Sequence, residues 1–208
     1  GILGDFGVSS HQFDVAERGF STRFDAELDM RMNQNSSLSA YEVINDYDEA
    51  ALSKMFFSYG ELNNARGLAA AIVTARKEEP IKNSEQLKKI FSRFLPAHKS
   101  NKILAQIYQA IRIEVNQEMD ALREFLEQSL EILKPGGRLS VISYHSLEDR
   151  LVKRFIKNGM FEGEPERDFF GRFEVPFETI GKLIVPTDEE IKENNRARSA
   201  KLRIAEKK

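Results

Sequence analysis

Two short polar stretches stand where an α/β protein does its chemistry. The first, D-F-G-V-S-S at residues 5–10, follows the apolar opening G-I-L-G; the second, S-Y-H-S-L-E-D at residues 143–149, follows R-L-S-V-I. In open α/β sheets ligands bind at the carboxyl ends of the strands, so both stretches lie where a pocket is expected. Asp5 offers a carboxylate to an amine or ammonium, and Gly7 lets backbone approach a ligand. Gln12, Arg18, Asp29 and Arg31 follow as further polar candidates. At the second stretch His145 sits at the strand end, where its ring can reach a bound base or orient the turn.

Other chemistries fit less well. A serine nucleophile at an elbow wants G-x-S-x-G, and Y-H-S-L-E has neither glycine. His145, Glu148 and Asp149 make a poor metal set, because Glu148 and Asp149 are adjacent on a helix and point to different sides, with no second histidine nearby in sequence. Ser146 and Asp149 instead read as a capping box, with Leu147, Leu151 and Phe155 facing the core. The chain has no cysteine, which excludes disulfides and thiolate zinc sites. No apolar run approaches the ~20 residues of a membrane span. A cytoplasmic setting is expected.

The elements around these stretches follow from periodicity. Residues 1–6 read as the end of a strand and residues 7–37 as an ordered loop rich in Gly, Ser and Asp. From Leu38 to Leu133 the pattern is helical. S-A-Y-E at residues 39–42, Asp48, and N-S-E-Q at residues 83–86 are helix starts. An apolar stripe from Leu104 through Tyr108, Ile111, Val115, Met119, Leu122 and Leu126 to Leu133 predicts one helix of roughly 30 residues, about 45 Å long. It ends at K-P-G-G.

R-L-S-V-I-S-Y-H then reads as a parallel strand covered on both faces, followed by a helix. T-I-G-K-L-I-V-P and S-A-K-L-R-I-A-E-K read as two more strands separated by a helix capped at T-D-E-E. In the last strand Ala200, Leu202 and Ile204 share one face, and Lys201 and Arg203 the other. The sheet-forming parts flank the helical block, so the chain reads as an α/β domain (residues 1–37 and 113–208) with an inserted helical lobe (residues 38–112).

Charge is unevenly placed. Net charge is −2, yet residues 192–208 hold seven basic and two acidic residues. A second stretch without acids holds Lys88, Lys89, Arg93, Lys99 and Lys102. Two basic patches on a mildly acidic body suit phosphate contacts.

Taken together, D-F-G-V-S-S-H-Q-F-D, E-R-G-F-S, L-D-M-R-M, Y-G-E, Q-A-I-R-I-E-V-N-Q-E, K-P-G-G-R-L-S-V-I-S-Y-H-S-L-E-D-R and R-A-R-S-A-K-L-R-I-A-E resemble, nearly end to end, the bacterial small-subunit rRNA cytosine-N4 methyltransferase family, known as RsmH or MraW. The resemblance implies a class I, Rossmann-like methyltransferase sheet and S-adenosylmethionine as cofactor. It implies methyl transfer to the N4 of a cytidine in the decoding region of 16S rRNA, with the small ribosomal subunit as partner. It carries cofactor contacts onto Asp5 and Gln12. Family members have a further front segment with the first strands and a Gly-rich turn, so the chain is expected to begin inside the fourth strand and, by itself, to be inactive.

Within that frame Asp5 and His145 are the catalytic candidates, Phe6 and Tyr144 the rings for a cytosine, and Arg196 and Arg198 the phosphate contacts. The sequence departs from the family at His11, Ala26, Glu27, Leu62, Gln106, Ile107 and Asn195. The rival expectation is an RNA- or protein-binding module that does not turn over. An exposed edge on the first strand predicts self-association, and a homodimer is left open.

Overall fold

The computed structural model describes residues 1–166, 169–170 and 174–208. The chain runs through β1 (Ile2–Asp5), α1 (Ser10–Asp14), α2 (Ala40–Asp46), α3 (Glu49–Ser58), α4 (Ala65–Ala75), α5 (Ser84–Phe91), α6 (Ser100–Asn116), α7 (Glu118–Ile132), β2 (Arg138–Ser143), α8 (Ser146–Asn158), β3 (Phe177–Thr179), α9 (Asp188–Glu193) and β4 (Lys201–Lys207). Among the described residues no helix is long and apolar enough to cross a membrane. Two compact units form: Gly1–Gly7 with Met119–Lys208, and Val8–Glu118. Their boundaries lie at residues 7/8 and 118/119 rather than 37/38 and 112/113.

The first unit is a four-stranded sheet in the order β1-β2-β4-β3. β1 pairs parallel with β2, β4 runs antiparallel to β2, and β3 runs antiparallel to β4. The register places Gly4 opposite Val141, Leu139 opposite Ala205, and Phe177 opposite Lys207. Leu139, Val141, Ala205 and Phe177 are buried with Leu122 and Leu126 of α7 and Leu151, Val152, Phe155 and Ile156 of α8. Gly4 is required here, because a Cβ at that position would lie 2.7 Å from the rings of both Phe125 and Phe6. On the opposite face Ile142, Leu202 and Ile204 are half-buried, and Leu3 is 67% exposed.

One expectation for this unit changes. The T-I-G-K-L-I-V-P stretch supplies only the end of β3 and a single bridge from Ile184 to Leu202. In β4 the alternation holds, and the buried face is the one carrying Ala205, and with it Lys201 and Arg203. Their charges are accommodated because Asp149 of α8 meets them. Arg203 Nε and Nη2 donate to its two carboxylate oxygens at 2.7 and 3.2 Å, and Lys201 Nζ donates at 3.4 Å.

The second unit is helical, with Val43, Ile44, Leu52, Phe56, Leu68, Ile72, Leu87, Phe91 and Ile111 among its buried side chains. Capping boxes at Ser39/Glu42 and Asn83/Gln86 and the Asp48 cap start α2, α5 and α3, as their residues predict. Residues 8–37, expected beside the sheet, belong to this unit. Phe20, Leu28 and Met30 enter its core, and Leu28 N–H donates to the Lys82 carbonyl at 3.1 Å.

The single long helix is in fact two. Gln117 caps α6 in the left-handed region, at φ 50°, and α7 starts one residue later. The apolar stripe crosses that break without changing period. Ile111 and Val115 serve the helical core, and Leu122 and Leu126 the sheet core.

Candidate active site

Because β1 and β2 are adjacent and parallel, their carboxyl ends open at the same edge of the sheet. The pairing continues one step further, with Phe6 N–H donating to the Ile142 carbonyl at 3.1 Å. This brings Asp5 beside Tyr144, close enough for its carboxylate to act on the phenol. Burial, then the Asp5 carboxylate, then the charges of Glu148 and Glu190, push the Tyr144 phenol above its ordinary pKa. Gly7 closes the edge at φ 93°, a conformation that favours glycine; a Cβ there would sit 3.6 Å from the Tyr144 ring and 3.9 Å from Glu148 Oε1.

The residue that starts α8 is His145, not Ser146. His145 is extended, at φ −134° and ψ 165°, and its Nδ1 accepts the Glu148 N–H at 3.4 Å. Glu148 Oε2 accepts in return from the N–H of His145 at 3.2 Å and of Tyr144 at 2.8 Å. The box is therefore His145/Glu148, and the expected Ser146/Asp149 pair does not form it; Asp149 is engaged by β4. Histidine is an uncommon cap, since Ser, Thr, Asp and Asn lead that position.

Glu148 is a buried carboxylate, 2% exposed. Burial pushes its pKa up, but the His145 side chain and the N–H groups of Tyr144 and His145 outweigh that and hold it below the usual carboxylate value. Its Oε1 lies 3.2 Å from His145 Nε2, without the alignment of a hydrogen bond.

A model of the MraW methylase family matches residues 1–208. The chain belongs to this family. Ribosomal RNA small subunit methyltransferase H of Flavobacterium johnsoniae is 75% identical over 207 residues, covering 100% of this chain and 68% of the relative. The protein of the same name from Flavobacterium psychrophilum is 72% identical, covering 100% of this chain and 72% of its own length. That of Bacteroides thetaiotaomicron is 54% identical, with 100% and 68% covered. These relatives are methyltransferases by name, which does not favour the reading of the chain as a binding module alone.

In this MraW-family chain the expected site residues divide by place. Asp5, Tyr144 and His145 meet at the strand ends. Phe6 turns away from them: its ring packs edge-on against Phe125 at 5.0 Å between centroids, because it shares the face of Gly4. Gln12 belongs to the helical unit, where it closes a capping box with Ser9: its Oε1 accepts from Ser9 N–H at 2.8 Å. Arg196 and Arg198 are exposed on the short turn of helix Asn195–Ser199, and Arg198 donates to the Asn195 carbonyl. Lys89, Arg93, Lys99 and Lys102 are exposed on the helical unit.

Arg18, Asp29 and Arg31 frame the L-D-M-R-M loop. Arg31 Nε and Nη2 donate to Asp29 at 2.7 and 3.2 Å, and Arg18 donates to the Arg31 carbonyl at 2.6 Å. Between them Met30, fully buried, holds φ 56°. Asn116 fixes it by donating to the Met30 carbonyl and accepting the Met32 N–H. Sequence reasoning did not single out Asn116, and weighed Glu148 only as a poor metal ligand. The H-x-x-E spacing before an apolar helical run was the only local signal for Glu148.

Proposed function

We propose that this chain carries the methyl-transfer edge of an rRNA methyltransferase, which moves a methyl group from S-adenosylmethionine to the exocyclic N4 of a cytidine in the decoding region of 16S rRNA. The observation that carries this reading is the contact of Asp5 with Tyr144 at the carboxyl ends of two parallel strands, in a chain that the methylase family matches throughout. Three strands that run the same way, with β4 alone reversed between β2 and β3, suit the carboxyl half of a class I methyltransferase sheet. The sheet unit is then the transfer domain and the helical unit the inserted one.

The residues at this edge fit the cofactor. Asp5 is exposed at the strand tip with a carboxylate that can accept from hydroxyl or ammonium donors, and Gly7 leaves backbone open to close approach. S-adenosylmethionine, when bound, would supply a methyl carbon on a sulfonium, with a thioether as leaving group in exchange for the new C–N4 bond and the displaced N4 proton passing to solvent. The exocyclic amine is a weak nucleophile because its lone pair is delocalised into the ring. Tyr144 and His145 therefore act by holding an unstacked cytosine with its amine in line, and polar acceptors orient the amine hydrogens. The exposed basic residues of both units meet phosphates.

The test is methylation of purified small ribosomal subunits lacking the mark, followed by nucleoside mass spectrometry. N4-methylated cytidine in the decoding region supports the reading. A methylated product on another atom, or on protein, overturns it.

A further inference from the structure

We infer that Glu148 is a positioning residue of this site, acting through Tyr144 and His145 to hold the tip of β2 against Asp5. The inference rests on the reading of the strand ends as the place of methyl transfer. A capping box needs one side-chain oxygen on one N–H, and an uncharged Gln serves it as well as Glu. Here a single oxygen, Oε2, takes two successive N–H groups, those of Tyr144 and His145. Two such bonds fix both peptide planes on either side of the Tyr144 Cα, and so fix where its phenol stands.

The phenol stands beside the Asp5 carboxylate because β1 and β2 end together, with Asp5 opposite Ile142. The second oxygen, Oε1, lies 3.2 Å from His145 Nε2. One buried carboxylate thereby braces two members of the strand-end cluster: the tyrosine through its backbone, and the histidine through backbone and ring. Burying a charge is costly unless donors surround it, and a neutral side chain of the same shape avoids that cost. The carboxylate therefore has a use beyond starting a helix, and the turn it braces carries the two side chains that hold the base. A displacement of about 1 Å there costs on the order of 100-fold in rate.

The experiment compares Glu148→Gln and Glu148→Asp in the intact protein with the parent, measuring kcat, the KM for small subunits and for S-adenosylmethionine, thermal unfolding, and the ultraviolet titration of tyrosine. Tyr144→Phe assigns the Tyr144 component. Expected is a fall in kcat of about 10- to 100-fold in Glu148→Asp, whose shorter side chain withdraws the acceptor from the two N–H groups, with both KM values within about threefold. Glu148→Gln keeps an oxygen for them, retains more activity, and moves the Tyr144 titration to lower pH. A kcat within twofold of the parent in folded Glu148→Asp overturns the inference. Loss of activity only in proportion to loss of folded protein also overturns it, and recovery in Glu148→Gln decides this if Glu148→Asp does not fold. Asp5→Asn and Tyr144→Phe in the same assay separate the two levels. If they lose activity and the Glu148 variants do not, this inference falls alone; if they keep it too, the reading of the strand ends falls as well.

Discussion

Asp149 and Arg203 are joined by a two-pronged ion pair that fastens α8 to β4, with side chains only 12% and 17% exposed. Burial pushes the Asp149 carboxyl up, but the Arg203 hydrogen bonds and charge, and then Lys201, outweigh it and hold the pKa below the ordinary 3.8. A depressed folded pKa gives a contribution that is full above the unfolded value and is lost as pH falls through the folded one. Asp149→Asn should cost about 2 kcal/mol at neutral pH by urea denaturation. It should also flatten the acid limb of the stability curve below pH 3.8. An unchanged acid limb would show that the pair contributes nothing in solution.

His145→Asn separates capping from chemistry. Asparagine is a strong cap, so unfolding free energy should stay within about 1 kcal/mol of the parent, whereas His145→Ala should lose about that amount. Methyl transfer should fall in both variants. Full methylation by His145→Asn would confine the imidazole to starting α8.

Gly4 tests the packing behind the site. A methyl group there meets the rings of Phe125 and Phe6 at 2.7 Å, so Gly4→Ala should destabilise by about 1–3 kcal/mol. Pairing it with Phe125→Leu should recover part of the loss in the same denaturation experiment. Additive losses would mean that the ring is not what crowds the position.

RNA affinity should be strongly salt-dependent. Replacing Arg196 and Arg198, or Lys89 and Arg93, by Glu should weaken binding to small subunits and reduce the slope of log K against log salt by roughly 0.7–0.9 for each phosphate no longer neutralised. Filter binding across a salt series reads both quantities, and an unchanged slope would leave these side chains as ordinary solvated surface.

Where a signal was local, the residues announced it. The boxes at Ser39 and Asn83 and the caps at Asp48 and Thr187 each need only three or four neighbouring residues, and all are present. The break at Gln117 was hidden because apolar steps of three and four run through it unaltered; only the presence of two separate cores decides it. Which face of β4 is buried could not be read for a related reason. Alternation tells which residues share a face, but a partner as distant in sequence as Asp149 decides which face is inside. Asp5 and Tyr144 could each be placed at a strand end, yet their contact depends on β1 and β2 being neighbours. For Glu148 no local pattern could show that one oxygen accepts both the Tyr144 and the His145 N–H.

The sheet face bearing Leu3, Ile142, Leu202 and Ile204 leaves greasy surface in contact with water. Among the described residues β1 is bonded on one side only, to β2. A concentrated sample of these 208 residues should therefore brighten a hydrophobic dye and scatter more light as it is concentrated, with clusters growing from the strands while the helices stay intact.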